Sequence, residues 1–223
     1  AVISFRVVGK IPELWNPQTG KSERVSYQVT DGRTVVPLKF ESWDAFFIVF
    51  SEPTTVSSYT RPAIQETVVA PIAGTWSLNV GSKTVSMDNL SSWTESADAE
   101  VKYFSGTATY QNKFTLKTVD KSGVYWIDLG DVKNIAEVIV NGKNMGTAWK
   151  KPFKVDITEG VKTGENVVQI KVTNLWVNRL IGDAQPGASK TTFTTMPFYR
   201  KDGALLPSGL MGPVKIVSAS KLQ

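Results

Sequence analysis

The densest mixture of chemically capable side chains lies between Asn174 and Asp183. There Asn174, Asn178, Arg179 and Asp183 supply two amides, a guanidinium and a carboxylate, with the indole of Trp176 among them. Amides and guanidinium groups form paired hydrogen bonds to vicinal hydroxyls, and an indole face packs on the apolar face of a pyranose ring. The combination points to recognition of a hydroxyl-rich ligand such as a carbohydrate rather than to bond breaking. Trp149, next to Lys150 and Lys151 at a hairpin end, is a second aromatic of the same kind. Each feature has a structural alternative. Both tryptophans could be core plugs or hinge packing, and Arg179 with Asp183 could be an ion pair that fixes a long loop.

The chain has 223 residues and neither His nor Cys. That removes thiol nucleophiles, disulfides, the Ser-His-Asp triad and His- or Cys-ligated zinc. Carboxylates, Lys and Tyr remain as acid–base groups, which suits glycoside chemistry or no catalysis at all. No motif singles out a working pair among Asp128, Asp131, Asp156, Asp183 and Asp202, so no catalytic residue is assigned. A Ca²⁺ ion on a loop would suit this fold class. The regular acidic spacing of a calcium loop is missing, so no metal ligand is assigned either. The net charge of +5 is spread over single Lys and Arg residues with acids between them, a solvated surface rather than a nucleic-acid footprint. The longest apolar run, Ala45 to Phe50, is far short of the roughly 20 residues of a membrane span.

The elements that position these groups repeat with a period of two. Ala108, Tyr110, Phe114 and Leu116 alternate with polar residues, as do Val168, Ile170 and Val172, and Val25, Tyr27 and Val29. This predicts strands with one buried face. The runs Phe46 to Phe50 and Glu137 to Val140 are apolar on both faces and read as central strands. Asp31-Gly32 and Asn141-Gly142 are hairpin dipeptides. One short helical turn is expected between Asp88 and Tyr103, with Ser91 and Ser92 as caps. Trp15, Trp76, Trp93 and Trp126 are assigned to packing. Absence of strand–helix alternation excludes a (β/α)₈ barrel and a Rossmann fold. The spacing therefore predicts an all-β chain: a β-sandwich over residues 66–223, preceded by a small β-module over residues 1–58. The polar, proline-bracketed stretch from Ser51 to Pro62 joins them. The first module holds about four strands by this reading, too few for a comfortable core at its size, and is expected to lean on a neighbour. The run from Gly182 to Pro197, with Ser189 to Thr192, exceeds the usual ~12–15-residue limit of structureless loops and reads as functional or disordered.

Several segments carry a resemblance to known proteins. Gly106-Thr107-Ala108-Thr109-Tyr110, Trp126-Ile127-Asp128-Leu129-Gly130, Val138-Ile139-Val140-Asn141-Gly142-Lys143, Pro152-Phe153-Lys154-Val155-Asp156-Ile157 and Gly164-Glu165-Asn166 together resemble the galactose-binding-like jelly roll of family-2 glycoside hydrolases. The stretch Asn174 to Asp183 and the segment Leu206-Pro207-Ser208-Gly209-Leu210-Met211-Gly212-Pro213-Val214 resemble the C-terminal portion of bacterial α-L-rhamnosidases of glycoside hydrolase family 106. Gly9 to Gly20 resembles the β-rich segment that follows the catalytic barrel in those enzymes. The resemblance implies a non-catalytic accessory region that binds carbohydrate or completes the substrate cleft of a catalytic domain upstream in the same chain. It also implies a periplasmic or extracellular bacterial protein. The alternatives are a purely structural docking module and a cell-surface adhesion domain. Trp149, Asn174, Trp176, Asn178, Arg179 and Asp183 are the candidate carbohydrate-binding or cleft-facing residues.

Overall fold

The computed structural model describes residues 1–196 and 198–221. Strands hold 48% of the chain and helices 6%, as the period of two requires. The chain divides into two compact units, Ala1–Gln65 and Glu66–Ser220.

The first unit has strands β1 (Val2–Phe5), β2 (Lys10–Asn16), β3 (Lys21–Arg24), β4 (Tyr27–Thr30), β5 (Arg33–Pro37), β6 (Phe47–Pro53) and β7 (Ser58–Tyr59). They form a four-stranded sheet ordered β1-β5-β4-β7 and a three-stranded sheet ordered β3-β2-β6. The count is seven rather than four because short strands such as β1 and β7 leave little alternation to read. The unit has a small core of its own: Val25, Tyr27, Val36 and Leu38, with Ile3, Phe5, Leu14 and Ile48 packed against it. Asp31 and Gly32 take the left-handed backbone of a two-residue hairpin turn. Two expectations fail in this unit. The run Phe46 to Phe50 is not a central strand: β6 lies at a sheet edge, with Ile48 turned to the core and Phe47 exposed. Trp15 is not core packing. It stands directly across from Phe47 on the open face of β2, and its indole N–H donates to Glu13 Oε2 at 3.2 Å.

The second unit contains β8 (Ile64–Pro71), β9 (Trp76–Val80), β10 (Lys83–Met87), a 3₁₀ turn (Trp93–Glu95), α1 (Ala99–Lys102), β11 (Thr107–Leu116), β12 (Val124–Asp128), β13 (Asp131–Lys133), β14 (Ile135–Val140), β15 (Lys143–Ala148), β16 (Lys154–Asp156), β17 (Gly164–Thr173), α2 (Val177–Asp183), β18 (Gly209–Gly212) and β19 (Lys215–Lys221). A six-stranded sheet, β10-β9-β11-β17-β14-β15, and a four-stranded sheet, β16-β12-β19-β8, supply the faces of a β-sandwich. Leu78, Tyr110, Val138 and Ile170 of the first sheet share one buried cluster with Ile127, Val155 and Ile216 of the second. The alternation read in β11 and β17 holds throughout, and β14 is a central strand. Between Asp88 and Tyr103 two short helical pieces form, not one. Ser92 caps the 3₁₀ turn by accepting from Thr94 N, and Asp98 caps α1 by accepting from Glu100 N. Trp76 and Trp93 are buried, as expected. Among the described residues no helix is long and apolar enough to cross a membrane.

Candidate functional site

The site residues gather at one end of the six-stranded sheet, and register shows why. Thr173, the last residue of β17, pairs with Thr107 at the start of β11 and with Ile135 at the start of β14. Ala148, the last residue of β15, pairs with Ala136 of β14. The chain therefore leaves β17 toward Asn174 and Trp176, and leaves β15 toward Trp149, at the same sheet end and two strands apart. Strand spacing places those exits about 10 Å from each other.

The stretch read as a loop is mostly helix. After Asn174 and Leu175 the backbone turns at Trp176 into α2, which has no side-chain cap of its own. Ser105 substitutes from a distant segment: its Oγ accepts from Arg179 N at 3.1 Å and donates to Leu175 O at 2.9 Å. This meets one of the helix's unsatisfied amides, and it was invisible in the sequence because the cap lies 74 residues away.

Three of the polar side chains face inward. Asn174 accepts from Gly106 N at 2.9 Å and donates to Phe104 O at 2.9 Å and Ser208 Oγ at 3.0 Å. Asn178, 1% exposed, accepts from Leu206 N at 2.8 Å and donates to Leu206 O at 2.7 Å and Ser208 Oγ at 2.9 Å. Asp183 accepts from the backbone N–H groups of Thr191 and Thr192 at 3.1 and 2.8 Å, and from Thr192 Oγ1 at 2.5 Å. Arg179 Nη2 completes its shell at 2.9 Å, so the ion pair exists. Burial pushes the Asp183 carboxyl up, but the Thr192 and Thr191 hydrogen bonds and the Arg179 charge outweigh it and hold the group below the usual carboxylate range.

These groups fasten the segment Leu206 to Leu210, whose role sequence reasoning did not weigh residue by residue. Ser208 N donates to Ser92 Oγ, and Leu210 N donates to the Tyr110 hydroxyl, which also accepts from Trp93 Nε1 at 2.6 Å. Burial pushes the Tyr110 hydroxyl up to about 12, against the pull of the Leu210 and Trp93 hydrogen bonds. Gly209 passes between them at φ +106°, where a Cβ would lie 2.5 Å from the Tyr110 oxygen. The polar density of the motif is thus spent on holding two irregular segments to the sandwich. The Pro197 end of the long run after Gly182 lies outside the described residues; its anchored part hangs from Asp183.

Both tryptophans face solvent, Trp149 at 50% exposure and Trp176 at 64%. Leu175 and Ile135 lie exposed on the same sheet end. What this end can offer a ligand is therefore ring faces on a rigid, hydrogen-bonded rim. Three of the other carboxylates weighed from sequence are engaged. Asp128 accepts from Gly130 N, Asp131 pairs with Lys133, and Asp156 accepts from Thr158 N and Oγ1. Among the described residues no three carboxylates converge into a set that would hold the Ca²⁺ ion.

The same architecture occurs in known proteins. The rhamnosidase from Novosphingobium sp. PP1Y has a solved structure that matches with a TM-score of 0.91 and 44% identity, over 96% of this chain and 21% of that one. A candidate β-glucuronidase of Formosa agariphila is 40% identical over 194 residues, covering 73% of this chain and 16% of its own length. The β-D-glucuronidase structure of Dictyoglomus thermophilum matches at a TM-score of 0.51 and 20% identity, over 72% of this chain and 29% of that one, and shares the fold alone. The chain spans 21% and 16% of the lengths of these two relatives, respectively. A family model for the glycosyl hydrolase 2 galactose-binding domain-like family matches residues 83–203. That match takes in five of the six strands of the larger sheet, β12 and β16 of the smaller one, the exits toward Trp149 and Trp176, and α2, and with more than half of its residues inside it the chain belongs to the glycosyl hydrolase 2 galactose-binding domain-like family.

Proposed function

We infer that this region is a non-catalytic accessory part of a rhamnosidase-like glycoside hydrolase of family 106, C-terminal to a catalytic domain in the same protein, and that its Trp149–Trp176 end meets carbohydrate at the substrate cleft. The observation that carries the reading is the exposure of two indoles at one sheet end while every amide beside them is consumed internally. An exposed indole held on a rigid rim costs solvation and gains nothing in the fold; a pyranose face is the partner that matches its quadrupole and shape. The similarity to the Novosphingobium rhamnosidase supports the parent activity. A polymeric glycan substrate supports a periplasmic or extracellular location.

The test uses the intact enzyme carrying Trp149→Ala and Trp176→Ala together. The expected result is a KM raised about five- to 150-fold for a rhamnose-bearing oligosaccharide, the size of two lost ring stackings, with kcat and the KM of a small aryl rhamnoside unchanged. An unchanged oligosaccharide KM would remove sugar contact from this end.

A second reading, a docking module that never touches sugar, is favoured by one observation: Phe193, Met196 and Phe198 are all strongly exposed on the segment after α2. Under that reading, polar replacements at Phe193 and Phe198 lower the melting temperature of the intact enzyme while the tryptophan variants leave KM untouched.

A further inference from the structure

Against α2 lies an open cleft of about 300 Å³, lined by Leu180 and Asp183 of the helix and by Lys190, Phe193, Phe198 and Tyr199 of the segment after it. Its volume falls at the lower end of the ~300–1,000 Å³ of small-molecule sites, which suits one sugar unit. The wall is aromatic, with Phe198 and Tyr199 meeting edge to face at 5.3 Å between ring centroids. Two aromatic rings set nearly at right angles therefore border the same space, and aromatic rings are what proteins set against a pyranose.

Charge narrows the ligand. Asp183 also lines the cleft, but its oxygens are taken by Thr191, Thr192 and Arg179. Lys190 has no ion-pair partner among the described residues. The charge left to the cleft is one ammonium on a segment whose neighbours Thr191 and Thr192 are pinned to Asp183. An exposed ammonium beside aromatic rings favours an anionic group over a neutral hydroxyl, because a charged hydrogen bond is stronger than a neutral one even where water and salt weaken it.

We propose that this cleft binds a single anionic sugar unit, carboxylated or sulfated, with Lys190 as its counter-charge and the Phe198–Tyr199 wall as its stacking surface. The proposal rests on the reading of this end of the domain as sugar-facing, and names the sugar class it takes.

The experiment titrates the whole chain, observed by NMR, with glucuronate, glucose 6-sulfate and glucose at low and high NaCl. At least one acid is expected to bind about two- to fivefold tighter than glucose at low salt, as for an exposed ion pair. The preference should shrink at high salt, vanish in Lys190→Gln and survive in Lys190→Arg. Which acid binds distinguishes a uronate from a sulfated sugar. Equal binding of all three sugars overturns the proposal. So does a preference that survives in Lys190→Gln, or the absence of any shifts up to tens of millimolar sugar. Failure of the rim reading shows elsewhere: Trp176→Ala would then leave oligosaccharide KM unchanged whatever Lys190 does.

Discussion

The two ends of the six-stranded sheet solve the same problem with different material. At one end β14 and β15 are joined by Asn141 and Gly142 alone, both with positive φ, and the turn is locked by its own neighbours. Asn141 donates to Gly160 O and to Asn166 Oδ1 and accepts from Val167 N, while fully buried Asn166 donates to Lys162 O and Gly164 O. Among the described residues of that turn no large apolar side chain is left exposed. At the other end buried amides also do the fastening, through Asn174 and Asn178, but what they fasten is longer and ends in exposed rings. The lesson is that a polar cluster in a sequence marks where irregular backbone must be held. The residues free to meet a ligand are the ones such a cluster leaves unbonded.

The largest expected effects test whether the buried amides really are equivalent. Asn166→Ala takes the amide away from the Lys162 N–H and two carbonyls, and Asn178→Ala strands the Leu206 N–H, while the Leu206 carbonyl keeps the Ser208 hydroxyl. Each should cost about 2–3 kcal/mol, from at least one buried donor left without a partner and the other hydrogen bonds lost with it. Urea denaturation of the two variants measures this. If Asn178→Ala keeps the wild-type midpoint and weakens sugar binding instead, the amide belongs to the ligand and the comparison of the two ends breaks.

How much of this was legible in sequence follows from what each signal encodes. Alternation in β11 and β17 and the Asn141-Gly142 turn depend on a residue and its near neighbours, so they were readable. The apolar run Phe46 to Phe50 misled because an open sheet face tolerates aromatics as well as a buried one does. Helix α2 was unreadable for a related reason. Val177 and Ile181 are β-branched, Gly182 lies within it, and its cap comes from Ser105, so local propensity argues against it and tertiary bonds override. The same holds for the site. Residue types at Asn174, Asn178 and Asp183 suit sugar hydroxyls and backbone amides equally, and only packing shows which they meet. Trp149 and Trp176 could be named from sequence; their exposure could not.

A smaller effect sharpens the role of Asp183. Its carboxyl is held below the ordinary range in the folded chain. Its stabilising contribution is therefore complete above the unfolded value near ~3.9 and is lost as pH falls through the folded value. Asp183→Asn should lower stability by about 1–2 kcal/mol at neutral pH, since a charged acceptor of several hydrogen bonds is replaced by a neutral one. The gap to wild type should then close as pH drops below about 4. Asp98 and Asp120 are also lowered, by the Lys83 hydrogen bond and by Ser122 respectively, so only the difference between the two chains isolates Asp183. Urea midpoints measured down that pH range decide it, and a gap that does not change with pH would mean that the carboxylate charge is not what holds Thr191 and Thr192.

The smallest effect on stability should come from the two rings that matter most for the functional reading. Trp149→Ala and Trp176→Ala remove half-exposed side chains that cap no network, so each should change unfolding free energy by no more than about 0.5 kcal/mol. Each should nonetheless cost about 0.5–1.5 kcal/mol of oligosaccharide affinity in the intact enzyme. The rings leave the sheet two strands apart, and groups more than roughly 7–10 Å apart with no shared partner act independently. The double variant should therefore lose the sum of the two single losses. A double variant no worse than either single one would mean that both rings serve one contact, or that one reorganises when the other is cut. That outcome would replace a rim with two separate sugar contacts by a single shared subsite.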